Sequence, residues 1–155
     1  LNVSEDDFGK PNEALEQIRA QGFVAEAIAG SFEAELSLLE EDEAALFMED
    51  MGIQGSIRDR VSMLAFSLMG LISFFTAGVK EVHAWTLRKG SNALAAAGKI
   101  HTDIARGFIR AECFNFTELD AHGSEKALRE KGLFRLEGKE YIVQDGDLLH
   151  IRFNV

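Results

Sequence analysis

Residues 80–90 read Lys80-Glu81-Val82-His83-Ala84-Trp85-Thr86-Leu87-Arg88-Lys89-Gly90. β-Branched and aromatic residues over 82–87 predict a strand, and Arg88, Lys89 and Gly90 predict its turn. Just upstream, the apolar, aromatic run 71–76 is closed by Ala77 and Gly78 and predicts a second strand. Downstream, 93–106 predicts one helix. Residues 109–115 alternate, with Ile109, Ala111 and Cys113 expected on one face and Arg110 and Glu112 on the other. Short helices are expected over 117–121 and 124–131, and strands over 135–137 and 141–143 about Gly138. Gln144-Asp145-Gly146-Asp147 predicts a tight turn. Leu149, Ile151 and Phe153 then alternate with His150 and Arg152 in a half-buried last strand. Two strands, a helix and further strands around a small core are the elements of a β-grasp domain.

The chain before this block has a different pattern. Residues 1–5 read as the end of a strand, and Pro11 suits the first turn of a helix that Gly22 stops. The apolar run 23–29 predicts a buried strand, followed by the turn residues Gly30 and Ser31. Strand, helix and strand in this order are the crossover unit of a parallel sheet. Residues 36–51 predict an acidic helix. Ser56, with Asp59 three residues on, predicts the N-cap of another helix, whose apolar face would be Ile57, Val61, Leu64 and Leu68.

Composition is that of an ordinary globular chain: 46% hydrophobic and 27% charged residues over 155 positions. The single cysteine, Cys113, forms no internal disulfide and no cysteine-based metal site, and suits a reducing, cytoplasmic setting. No apolar run reaches the length of a membrane span, and 61–77, the most apolar stretch, reads as core. No metal site is expected, because His83, His101, His122 and His150 have no second ligand at metal-binding spacing. Residues 1–69 hold four Lys/Arg against fifteen Asp/Glu, a balance of −11, whereas 70–155 hold twelve against eleven, a balance of +1. Phosphate backbones repel the first half, so any nucleic-acid contact belongs to the second.

Several blocks of the second half resemble the TGS domain of the YchF (Obg-like) ATPase family. They are Phe74-Phe75-Thr76-Ala77-Gly78, the stretch 80–90 quoted above, Ala97-Gly98-Lys99-Ile100-His101-Thr102-Asp103, Gly107-Phe108-Ile109-Arg110-Ala111-Glu112, Tyr141-Ile142-Val143-Gln144-Asp145-Gly146-Asp147, and Arg152-Phe153-Asn154. The resemblance extends, more weakly, to the residues before Ser56. It implies an α/β remnant of a P-loop NTPase domain followed by an α+β β-grasp (ubiquitin-like) TGS domain. Residues 1–55 would be the C-terminal end of the nucleotide-binding (OBG-type G) domain, 56–70 a connecting helix, and 71–155 the TGS domain.

The same resemblance assigns a base-reading site. The family carries Asn-x-x-Glu where ordinary GTPases carry Asn-Lys-x-Asp, and Asn2-Val3-Ser4-Glu5 stands in that place. An aspartate there accepts from the ring N–H and amine of guanine. Adenine lacks that ring proton, and an Asn amide pairs with its N6 and N7. ATP over GTP is therefore the implied preference, with Asn2, Val3, Glu5, Gly30 and Ser31 as base contacts. No Gly-x-x-x-x-Gly-Lys-[Ser/Thr] occurs in the chain. ATP or GTP and Mg²⁺ are thus expected in a longer parent whose P-loop lies N-terminal to this segment. This chain by itself is expected to hold neither tightly and to catalyse nothing.

The second half is expected to bind the ribosome, through its large subunit, or RNA. Lys80, Arg88, Lys89, Lys99, Arg106 and Arg110, with His101, are the candidate contacts. A single basic face requires these cations, which come from strand and helix ends, to gather. Two rival roles predict other features. A small-ligand regulatory module needs a shaped hollow between the sheet and the helix 93–106, lined with convergent polar groups. A protein–protein interaction domain predicts binding with little salt dependence.

Overall fold

The computed structural model describes residues 1–50, 55–78 and 81–154. The chain divides into two compact units, Leu1–Leu64 and Ala65–Val155.

In the first unit, Ser4 Oγ accepts from the Asp7 N–H at 3.3 Å and starts a 3₁₀ turn over Glu5–Asp7. Asn12 Oδ1 accepts from the Leu15 N–H at 3.1 Å and caps helix α1 (Glu13–Ala20). Pro11 therefore precedes the cap instead of occupying the first turn. Parallel pairing is present at one position, Asn2 with Ile28. There the Val3 N–H donates to the Ile28 carbonyl at 2.8 Å, and the Ile28 N–H to the Leu1 carbonyl at 2.9 Å. The strand expected over 23–29 does not form. Only Ile28 pairs, with Asn2, and Phe23 and Val24 are exposed.

The helix expected over 36–51 is two helices, α2 (Gly30–Leu36) and α3 (Glu41–Asp50); position 51 lies outside the described residues. Ser37 ends the first, its hydroxyl donating to the Ala34 carbonyl at 2.7 Å. Ala29, Phe32 and Leu36 form the core of this unit, with Phe8, Ala44 and Met48 packed on it. Helix α4 (Ile57–Leu68) starts where the spacing predicts, with Ser56 Oγ accepting from the Asp59 N–H at 3.2 Å. Its anticipated apolar face is not buried: no residue of α4 is, and Val61 and Leu68 are exposed. The stretch 61–77 is core only from Ile72 onward.

The second unit is a five-stranded mixed sheet in the order β2-β1-β5-β3-β4. Strands β1 (Leu71–Ala77) and β2 (Val82–Arg88) form an antiparallel hairpin with Leu71 opposite Arg88 and Thr76 opposite His83. Strand β3 (Phe108–Asn115) lies antiparallel to both β4 (Arg135–Glu137) and β5 (Asp147–Phe153). The two halves of the sheet meet where β1 and β5 run parallel, paired only at Phe75 and Leu148. On one side of that rung the seam is closed, with the Gly146 N–H donating to the Ser73 carbonyl at 2.8 Å and the Ser73 N–H to Asp145 Oδ1 at 2.8 Å.

Both sheet faces are covered. Ala93, Ala96 and Ala97 of α5 (Ala93–Ile100) pack with Ile72, Phe74, Leu87, Ala111 and Leu149 on one face. Phe114, Leu128 and Leu148 form a second core on the other, under α7 (Phe116–His122) and α8 (Glu125–Glu130). The helix expected over 93–106 breaks at His101, whose extended backbone (φ −165°, ψ 145°) separates α5 from α6 (Thr102–Arg106). Ile109 is exposed rather than inward, because the register between β3 and β5 shifts between Phe108 and Arg110. One extra residue there turns Phe108, not Ile109, onto the core face that holds Ala111. Residues 141–143 contribute a single bridge, Ile142 to Asn92, and no strand.

Candidate functional site

Four of the five residues expected to read a base lie together in the first unit. Gly30 N–H donates to Asn2 Oδ1 at 2.9 Å, and Ser31 Oγ donates to Glu5 Oε1 at 2.9 Å. The approach is close: a Cβ at Gly30 would stand 3.0 Å from Asn2 Oδ1. Because a backbone N–H faces the Asn2 side chain, its carbonyl must point inward, leaving the amide Nδ2 donors free. Val3 contributes through its backbone, which pairs with Ile28. Two segments separated by more than twenty residues thus present an amide donor and a carboxylate side by side.

Among the described residues, the candidate cations of the second unit do not gather at one end of the sheet. Arg88 stands opposite Leu71, while Arg110 stands opposite Arg152, four residues beyond the Phe75–Leu148 rung. Leu71 lies four residues before that rung, so the two arginines are about 26 Å apart along the strand direction. Lys89 follows Arg88, its N–H donating to the Gly70 carbonyl at 2.8 Å. Lys99, His101 and Arg106 lie with Arg110, because α6 runs directly into β3 and the Gly107 carbonyl accepts from the Asn154 N–H at 2.9 Å. Lys80 lies outside the described residues.

At this second end Asp103 pairs with Arg106 at 3.0 Å, and Glu112 binds both Arg129, at 2.8 Å, and Arg152. The Arg129 hydrogen bond foremost, then Arg152, holds the Glu112 carboxyl below the usual carboxylate range. Arg110 has no acidic partner among the described residues. His101 Nδ1 accepts from the Asp103 N–H at 3.1 Å, which places the ring proton of the neutral form on the exposed Nε2.

The same end holds a hollow of about 550 Å³ between the sheet and α5–α6, where the sequence placed the mark of a ligand module. It opens where β1 and β5 cease to pair. Ile100, Ile104 and Ile151 give it an apolar floor, and Thr76, His83 and Trp85 of the hairpin form a wall. The Trp85 indole N–H donates to Thr76 Oγ1 at 2.9 Å. His83 lies over Trp85 with ring centres 4.2 Å apart, and its Nδ1 is 3.2 Å from Glu81 Oε1. Sequence reasoning passed over His83, Thr76 and Ile104 as contacts. The available signal was the i, i+2 spacing of His83 and Trp85, which puts both on one strand face.

Asp147 is fully buried, and its role is structural. Oδ2 accepts from the Tyr141 hydroxyl at 2.8 Å and the Gln144 N–H at 2.9 Å, while Arg135 reaches Oδ1 at 3.3 Å. Burial first, and then the Asp147 charge, pushes the neighbouring Cys113 thiol up to about 12. Burial and the Asp147 hydrogen bond also raise the Tyr141 phenol. Cys113 is therefore a core thiol. Among the described residues no cluster of three His, Cys, Asp or Glu side chains could hold a metal, and no helix is long and apolar enough to cross a membrane.

A family model described as YchF-GTPase_C, protein of unknown function (DUF933), matches residues 71–154. The "Ribosome-binding ATPase YchF" of Bacillus subtilis is 48% identical over 99% of this chain and 44% of its own length. "Obg-like ATPase 1" of Danio rerio is 39% identical over 99% of this chain and 40% of its own. The chain thus spans less than half the length of these relatives. The solved YchF GTPase of Schizosaccharomyces pombe superposes with a TM-score of 0.79 at 32% identity, covering 98% of this chain and 42% of that one. A GTP-binding protein from Pyrococcus horikoshii shares the fold, with a TM-score of 0.61 at 19% identity over 93% of this chain and 42% of its own.

Proposed function

The chain belongs to the YchF family, and we propose that it serves a ribosome-associated P-loop ATPase as its base-reading edge and its docking domain. In this reading residues 1–55 close the nucleotide-binding domain, 56–70 connect, and 71–155 are a β-grasp TGS domain. The parent is cytoplasmic and binds ATP, or GTP, with Mg²⁺ through a P-loop region N-terminal to this segment. The exposed apolar residues Phe23, Val24, Leu38 and Leu46 support a first unit completed by that region.

The observation that carries the base-reading role is the convergence of Asn2 with Gly30 and of Glu5 with Ser31. Asn2 Nδ2 would donate to adenine N7, and its Oδ1 retains a lone pair for the N6 amine. Ser31 holds one Glu5 oxygen, which orients the carboxylate beside Asn2. Catalysis and phosphate binding would belong to the P-loop region. In the longer protein, Glu5→Asp combined with Val3→Lys is expected to shift the ATP-to-GTP affinity ratio toward GTP by about tenfold, the worth of one well-made hydrogen-bond pair. An unchanged ratio overturns the base-reading role.

Docking is assigned to the end of the second unit that carries Lys99, His101, Arg106 and Arg110. Its partner is the large ribosomal subunit, met through RNA phosphates, which such cations position without reading sequence.

A further inference from the structure

We propose that the hollow beside β5 takes a single unstacked nucleobase, lying against the His83–Trp85 wall with its phosphate toward the surrounding cations. The proposal rests on the reading of this unit as the RNA-facing one, and deepens it from phosphate contact to base capture.

The wall is preformed. Buried Phe74 lies beside Trp85, with ring centres 6.4 Å apart and planes 19° from parallel, and the exposed His83 ring leans on Trp85 at a tilt of 40°. The Thr76 bond to the indole N–H fixes the rotation of Trp85, so this ring has little freedom left to lose on binding, and Glu81 contacts His83 at 3.2 Å. Rings held this way accept any base through its π face, which gives affinity without sequence preference.

The remaining features suit a nucleotide better than a purely apolar ligand. A volume of about 550 Å³ falls within the range of small-molecule sites. The isoleucine floor matches the flat, weakly hydrated faces of a base. At the polar edge, Thr76 Oγ1 accepts from Trp85 and keeps its own proton, and Glu81 keeps a second carboxylate oxygen. Together they offer one donor and one acceptor to a base edge. Arg152, bound to Glu112, lines the hollow itself, and Lys99 and Arg106 belong to the two helices that supply its floor. Asp103, bound to Arg106, moderates that charge without cancelling Lys99 or Arg110.

Two sources could supply the base, a free mononucleotide or an unpaired segment of RNA. Trp85 is the only tryptophan of the chain, so its fluorescence reports the wall directly. The full chain is titrated with AMP, with a single-stranded octaribonucleotide and with a duplex of equal length. Quenching by AMP and oligomer at similar concentrations identifies a free nucleotide as ligand, and quenching by the oligomer alone identifies RNA. His83→Ala, at an exposed position, is expected to weaken either by about tenfold, the scale of one base–aromatic stack. Ile104→Glu, which fills the floor with charge, should abolish quenching.

No quenching by either ligand, equal quenching by the duplex, or full-strength binding by His83→Ala overturns the proposal. Ribosome co-sedimentation of the longer protein separates the two readings. If Lys99→Glu with Arg110→Glu releases it from ribosomes while Trp85 never responds, docking stands and base capture falls.

Discussion

The carbonyl of Gly107 accepts from the N–H of Asn154 at 2.9 Å, and the two backbones lie so close that a Cβ at 107 would overlap the Asn154 carbonyl oxygen and come within 2.8 Å of its carbon. The backbone here is conformationally ordinary, with φ −89°. Glycine is required by contact, because the atoms in the way are main-chain atoms that cannot rotate aside. Gly107→Ala is expected to cost about 1–3 kcal/mol, the range of overpacking. Gly138→Ala, where an added Cβ meets nothing within 4 Å, is the near-neutral control. Urea denaturation of both variants checks the difference.

The buried Asp147 ties the 144–147 turn to Tyr141 and Arg135. Asp147→Ala leaves the Tyr141 phenol and the Gln144 N–H without their acceptor and removes the partner of the half-exposed Arg135, and is expected to cost about 1–3 kcal/mol. Asp147→Asn keeps one acceptor oxygen and should cost less. Chemical denaturation at neutral pH ranks the pair, and equal losses would contradict the hydrogen-bond account.

Cys113 supplies an alkaline signature. Its thiol is raised from 9.0 to about 12, so between these values the unfolded chain sheds a proton that the folded chain keeps. Stability from this group is complete below pH 9 and falls as pH rises through 12. Cys113→Ala should flatten that slope. Alkylation by iodoacetamide at pH 8 should be slow and limited by opening of the fold.

Glu112 supplies the acidic counterpart. Its lowered value means that its contribution is present above the ordinary carboxylate range and is lost as pH falls through the folded value. Arg129→Ala is expected to raise the Glu112 titration more than Arg152→Ala does, measured by NMR of the Glu112 carboxyl carbon. The reverse order would contradict the assignment of Arg129 as the leading partner.

Since Arg88 and Lys89 stand at one end of the sheet and Arg106 and Arg110 at the other, reversal of the two pairs should have unequal effects. Arg106→Glu with Arg110→Glu is expected to lower ribosome co-sedimentation of the longer protein and to flatten its salt dependence. Arg88→Glu with Lys89→Glu should leave both near the parent. Equal losses would place the docking face elsewhere.

The strands 71–77 and 82–88 and the Ser56 cap were legible because each is a local code: β-branched and aromatic runs, and a hydroxyl three residues ahead of an acid. Features set by a partner in space were not. Ile109 reads as an inward alternation, and only its β5 neighbour shows the register shift that turns it out. The break at His101 depends on its ring accepting from Asp103 N–H, invisible in an alanine-rich helical pattern. Leu148 beside Leu149 reads as a broken alternation until the sheet is seen to carry a core on each face. The strand expected at 23–29 is reduced to one bridge at Ile28, and the apolar residues Phe23 and Val24 of that run stay exposed. In the candidate sites, Asn2 and Gly30 were reachable from a family motif, whereas the Thr76–Trp85 bond and the isoleucine floor depend on hairpin register and helix placement.

The seam between β1 and β5 is fastened near Ser73 and Gly146 and has one rung beyond, at Phe75 and Leu148. Mechanically it is a clothes-peg, with jaws at Thr76 and Ile151 and its spring at the tight turn. The gap beyond that rung already stands open between Thr76 and Ile151, so a bound ligand would bridge the hairpin and the last strand where no backbone hydrogen bonds join them.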